Sequence, residues 1–191
     1  MLKKIVKSLA SFHVYYFRYY WSYLRHFKSP RSTDCEEYIG EEIQLGDIPR
    51  ITDELMSNFN YRRVGLSRLF YSMDTPASQY VNIKHNPPLK GDCTDFHTAI
   101  YHILEKGFKV YLLAVVTYPI SRSHECLMIQ DDQDYYLLDY RYISEKKETP
   151  KEVVKELEIE RYPEEDVEIM LSCLSYYDGL MWRSITPPKL V

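Results

Sequence analysis

Glycine is scarce in this chain, at 6 of 191 residues. No Gly-rich phosphate loop is present, which argues against nucleotide chemistry. Cysteine is scarce too. Cys35, Cys93, Cys126 and Cys173 lie far apart and form no Cys-x-x-Cys pair. That argues against a disulfide framework and against zinc-ligand spacing, and it points to a reducing, cytoplasmic compartment. Cys93, His124 and Cys126 converging on a metal would still want a fourth ligand, and none is evident. No metal or other cofactor is therefore expected. Long apolar runs are missing, as are repeats and low-complexity tracts. Acidic residues are missing from one region: residues 1 to 33 hold no Asp or Glu.

That region carries Lys3, Lys4, Lys7, Arg18, Arg25, Lys28 and Arg31. The whole chain has a net charge of −4, so the remainder is left with −11. Ile5, Leu9, Phe12, Tyr16, Tyr20, Tyr23 and Phe27 fall on one helical face, with Lys4, Ser11, Arg18 and Arg25 along another. A basic, aromatic, amphipathic helix is expected over residues 1–30. It suits an anionic membrane surface or, less well, nucleic acid. It also suits packing on its own domain or a sister subunit, which is slightly favoured. Lys7, His13 and Arg18 interrupt it too often for a bilayer span, and no small-residue cleavage site follows.

Residues 31–191 form the second unit. The whole chain's hydrophobic content of 45% and charged content of 27% are ordinary for a globular protein, and this unit reads as one domain. Its centre is Gly91-Asp92-Cys93-Thr94-Asp95-Phe96. Phe96, Ile100, Ile103 and Leu104 recur at helical spacing. Asp92 is the expected N-cap, Asp95 supplies an acid in the first turn, and Gly107 is the expected left-handed C-cap. Gly91 is expected to let the chain turn sharply into the helix. Cys93 then opens the helix, where the dipole stabilises a thiolate nucleophile. A small buried cysteine is the plainer alternative.

Residues 108–117 read as a buried strand, His124 to Gln130 as a second and Tyr135 to Tyr140 as its return. A hairpin centred between Asp132 and Gln133 sets Cys126 opposite Asp139 and His124 opposite Arg141. His124 and Asp139 become diagonal neighbours on one face, roughly 7–8 Å apart at the backbone. An imidazole held by a carboxylate is the base-and-orienter half of a catalytic triad.

These residues together resemble the transglutaminase-like cysteine protease superfamily, and among them the bacterial transglutaminase-like cysteine peptidases. The likeness spans about residues 80–142. It implies an α+β, papain-like core with a nucleophile helix packed on an antiparallel sheet. It implies Cys93 as nucleophile, His124 as general base and Asp139 as orienter, acting on a protein or peptide substrate. Asp95 would match a structural acid. Thr94 stands where an acid is common, and His97 where a small residue is common. Gln79, Asn82 and Asn86 are the candidates for an oxyanion-binding side chain. Peptide or amide hydrolysis is expected. Transglutamination or deamidation at the same site, or partner binding without catalysis, are the alternatives.

The flanks are less informative. Thr52 is expected to cap a short helix to Phe59. Thr75-Pro76 and Asn86-Pro87-Pro88 bound what reads as a loop-rich approach to Cys93. Thr149-Pro150 opens a helix to about Leu157. A second C-terminal helix is expected from Tyr162, with Val167, Met170, Leu171 and Leu174 as its stripe and Gly179 near its end.

Overall fold

A computed structural model of the chain describes residues 4–5, 8, 43–62, 75–85, 87–163 and 167–185. Nearly all of the basic helix expected over residues 1–30 lies outside them, as do Asn86 and the C-terminal tail.

The described fold is α+β. A 3₁₀ turn at Leu45–Asp47 leads into α1 (Ile48–Ser57), then β1 (Phe59–Tyr61). Next come α2 (Pro76–His85), β2 (Leu89–Gly91) and α3 (Cys93–Leu104). β3 (Lys109–Tyr118), β4 (His124–Asp131), β5 (Asp134–Asp139) and β6 (Tyr142–Ile143) follow. The chain ends in α4 (Pro150–Arg161), β7 (Glu168–Tyr177) and β8 (Trp182–Ser184). β1 and β2 pair in parallel. The other six strands make one antiparallel sheet in the order β6-β5-β4-β3-β7-β8.

Strand β3 is flanked on both edges and both faces, which is why residues 110 and 112–117 form a nearly unbroken buried run. Val110 and Leu112 pack with Phe96, Ala99, Ile100, Ile103 and Leu104 of α3. Leu127, Ile129, Leu138 and Trp182 complete that layer. Leu113 and Val115 face the other way, toward Val153, Val154 and Leu157 of α4. Each fully buried aliphatic or aromatic side chain contributes roughly 1.5–3 kcal/mol. The sheet is thus covered by α3 on one face and α4 on the other. Tyr101 also ties α3 to the sheet, its hydroxyl accepting from the Tyr177 N–H at 3.0 Å.

Several expectations are corrected. The second C-terminal helix is strand β7, so α4 is the one helix of that region among the described residues. The spacing of Met170, Leu171 and Leu174 fits a helix, but without β7 one edge of β3 would carry unpaired backbone groups. Pairing from Leu112↔Ser175 to Tyr118↔Glu168 satisfies them and outweighs the local pattern. Gly179 lies in the β7–β8 turn with φ +90. α1 starts earlier than expected, with Pro49 in its first turn. Thr52 is fully buried inside it, its hydroxyl donating to the Pro49 carbonyl at 2.9 Å. The approach to Cys93 is no simple loop, because α2 occupies it. Thr75 starts that helix, its hydroxyl accepting from the Ser78 N–H at 3.2 Å. Gly107 is not left-handed. A Cβ there would stand 2.8 Å from the Ile43 carbonyl oxygen, so close backbone approach explains it.

Candidate active site

Cys93 is the first residue of α3. Asp92 caps the helix, its carboxylate accepting from the Thr94 N–H at 2.9 Å. Asp95 reciprocates, its Oδ2 accepting from the Asp92 N–H at 3.0 Å. This capping box holds the turn in which the thiol sits. Asp95 Oδ1 accepts from Gln79 Nε2 at 2.5 Å, and Gln79 Oε1 from Asn82 Nδ2 at 3.3 Å. Two of the three expected oxyanion candidates therefore brace the helix cap from α2.

Gly91 is needed for space rather than for a sharp turn. A Cβ there would stand 2.6 Å from Asp95 Oδ2 and 2.8 Å from Asp95 Cβ. Gly91→Ala must push Asp95 out of the capping box. An overpacking penalty of about 1–3 kcal/mol is expected in urea unfolding. Gly46→Ala is the control, because nothing lies within 4 Å of its added methyl group.

His124 opens β4 and Asp139 closes β5. The hairpin register is the expected one, with Leu127 facing Leu138 and Met128 facing Leu137. It ends in His124 Nε2 lying 2.8 Å from Asp139 Oδ1. A carboxylate oxygen accepts, so this nitrogen carries the proton and Nδ1 is the ring's other functional atom. Arg161, in the last turn of α4, donates to Asp139 Oδ2 at 3.0 Å. Burial opposes the charge on Asp139. The His124 hydrogen bond and the neighbouring cations outweigh burial and hold the carboxyl below its usual range.

Cys93 belongs to the same electrostatic neighbourhood. Burial, then the nearby Cys93 and Asp139, push the Tyr140 hydroxyl far above its ordinary value. Burial and the same two groups push the Cys126 thiol up. Cys126 is fully buried, whereas Cys93 is only half-buried, and neither is in a disulfide. Of the two, Cys93 has the exposure a nucleophile needs.

Three further residues join the site. His97 is fully buried one turn after Cys93. Its Nδ1 lies 2.8 Å from the Cys93 carbonyl oxygen, and its Nε2 lies 3.0 Å from the Tyr140 backbone N. Its Nε2 is also 3.6 Å from Asp139 Oδ1, but this is no ion pair. Accepting a hydrogen bond from Tyr140 leaves no proton on that nitrogen. Tyr140 has φ 54, a left-handed conformation that costs a non-glycine residue roughly 1–2 kcal/mol. Its ring stacks on Phe96 at 5.1 Å and lies 4.8 Å from the His97 ring. The Tyr140 hydroxyl is buried with no partner among the described residues. The Arg161 guanidinium lies 5.9 Å from the same ring. His97 had a sequence signal, since i and i+4 share a helical face. Arg161 and Tyr140 had none.

Among the described residues, no group of three or more His, Cys, Asp or Glu side chains could hold a metal ion. No helix of these residues is long and apolar enough to cross a membrane. No family model matches the chain, and no curated protein matches it.

Proposed function

We propose that the protein is a cysteine hydrolase with a papain-like core of the transglutaminase-like type, and that it cleaves peptide or amide bonds. The observation that carries this reading is the His124–Asp139 hydrogen bond at 2.8 Å beside a helix that begins with Cys93. Asp139 fixes His124 through Nε2–H, which leaves Nδ1 as the nitrogen to serve the thiol. His124 takes the Cys93 proton, and the ion pair is the resting nucleophile.

The thiolate attacks the amide carbonyl carbon, and the carbonyl electron pair moves to oxygen. The Cys93 backbone N–H and a second donor receive that oxyanion. Protonated His124 then gives its proton to the departing amine, leaving a thioester. Water, deprotonated by His124, releases the acid and the thiol. An amine in place of water gives transglutamination, and a glutamine side chain as substrate gives deamidation. A thiol nucleophile works in a reducing compartment, so the cytoplasm fits this reading. The basic, aromatic segment of residues 1–30 would supply membrane-surface or subunit contact.

The test is the pH dependence of iodoacetamide labelling at Cys93, read by mass spectrometry. A labelling midpoint below about pH 7 is expected of a paired thiolate. An ordinary midpoint near about 8.5 overturns the catalytic reading and leaves a partner-binding domain. Peptide substrates, with and without added amine, then separate hydrolysis from acyl transfer.

A further inference from the structure

We propose that His97 is a positioning residue, a neutral imidazole bridge between the Cys93 carbonyl and the Tyr140 N–H that sets how Cys93 meets His124. This rests on the cysteine-hydrolase reading of the site.

The tautomer follows from the partners. A backbone carbonyl can only accept, so Nδ1 must carry the proton it shares with Cys93 at 2.8 Å. A backbone N–H can only donate, so Nε2 must be bare toward Tyr140 at 3.0 Å. Both nitrogens are spent on main chain. His97 therefore has neither a lone pair nor a proton for the thiol, and it does not compete with His124 as base.

The bridge joins two pieces that are distant in sequence. One end is the first turn of α3, which carries the nucleophile. The other is the residue directly after Asp139. His124 is held to Asp139, so clamping Tyr140 to Cys93 fixes the nucleophile against its base. The rings add a second constraint. His97 meets His124 edge-on at 5.9 Å and Phe96 edge-on at 5.4 Å. The charged groups facing His97 are Asp139 from β5, His124 from β4 and Arg161 from α4. Burial dominates, with His124 and Arg161 acting the same way and Asp139 opposing, so the ring stays neutral with a pKa lowered to about 4. A misplacement of about 1 Å at a reacting centre can cost about 10²-fold in rate, so a bridge of this kind has catalytic consequences.

The experiment compares Cys93 labelling midpoints in wild type, His97→Leu, His97→Gln and His124→Ala, with thermal melts for each. His97→Leu loses both bonds, and its midpoint is expected to rise by at least about one pH unit toward the ordinary thiol value. The Gln amide oxygen reaches about where Nε2 stands and accepts from Tyr140, so His97→Gln should recover part of the shift. A wild-type midpoint in folded His97→Leu overturns the bridge. If His124→Ala moves the midpoint while the His97 variants do not, the bridge alone fails. If wild type itself has an ordinary midpoint that is indifferent to His124, the hydrolase reading fails. Should the His97 variants not fold, ¹⁵N NMR of the wild-type histidines decides. The Nδ1–H tautomer, unchanged between pH 7 and about pH 5, is expected. An Nε2–H tautomer at His97, or titration near about 6.5, overturns the proposal.

Discussion

Amide hydrolysis in the His124→Ala protein is expected to fall by roughly 10²–10⁴-fold, the usual contribution of a positioned acid and base. Labelling of Cys93 is expected to respond differently. Its midpoint should rise to about 8.5, the value of an unassisted thiol. At pH 6 such a thiol is ionised to only about one part in 300. Yet a more basic thiolate is also a better nucleophile, gaining roughly threefold for each pH unit by which the midpoint rises. The labelling rate at pH 6 should thus drop only about tenfold, so the midpoint is the sharper readout. Asp139→Asn should fall between the two proteins. An amide oxygen can still accept from His124 Nε2–H. The amide nitrogen, however, would face Arg161, which now donates to Oδ2 at 3.0 Å. Equal activity in wild type and His124→Ala would remove His124 from the mechanism.

The second large effect is on stability. His97 titrates near the ordinary histidine value of about 6.5 when unfolded and at about 4 when folded. Between those values the unfolded chain binds the proton and the folded chain does not. Stability is therefore intact above about pH 6.5 and falls as pH drops through that window. The full loss is of order 3 kcal/mol, or about 1.4 kcal/mol per pH unit across it. Asp139 acts in a lower window. Its carboxyl titrates below its usual range in the fold, so its contribution is present above about pH 4 and is lost on further acidification. Urea unfolding at pH 7, 5.5 and 4.5 measures the upper window. His97→Gln should flatten the slope there, because the titrating group is gone. An unchanged slope would show that another group carries the acid sensitivity.

Much of the candidate site was legible in the sequence, because it depends on local rules. Asp92 as N-cap and Asp95 as a first-turn acid both follow from position along the helix, and in the fold the two join in a capping box. Acidic turn residues between two β-rich runs fixed the β4–β5 register, and register alone brings His124 to Asp139. The Thr75-Pro76 pair reads as the edge of a loop, although a cap followed by proline at the first helical position is an equally local signal, and it starts α2. The rest was not legible, because it depends on what lies across the fold. Met170, Leu171 and Leu174 satisfy a helical stripe and a buried strand equally well. The bare edge of β3 chooses the strand. Gly91 and Gly107 looked like conformational glycines, and both turn out to be places where another atom comes too close for a Cβ.

The sequence by itself determined that Cys93 begins a helix and that His124 and Asp139 share one hairpin, since capping and register act over a few residues. Only the tertiary structure decided that α3 covers the end of the sheet where that hairpin carries its histidine and acid. That placement comes from burial of the α3 face against β3 and β4, from Arg161 arriving on α4, and from His97 spanning Cys93 and Tyr140. These contacts join segments that no local pattern connects.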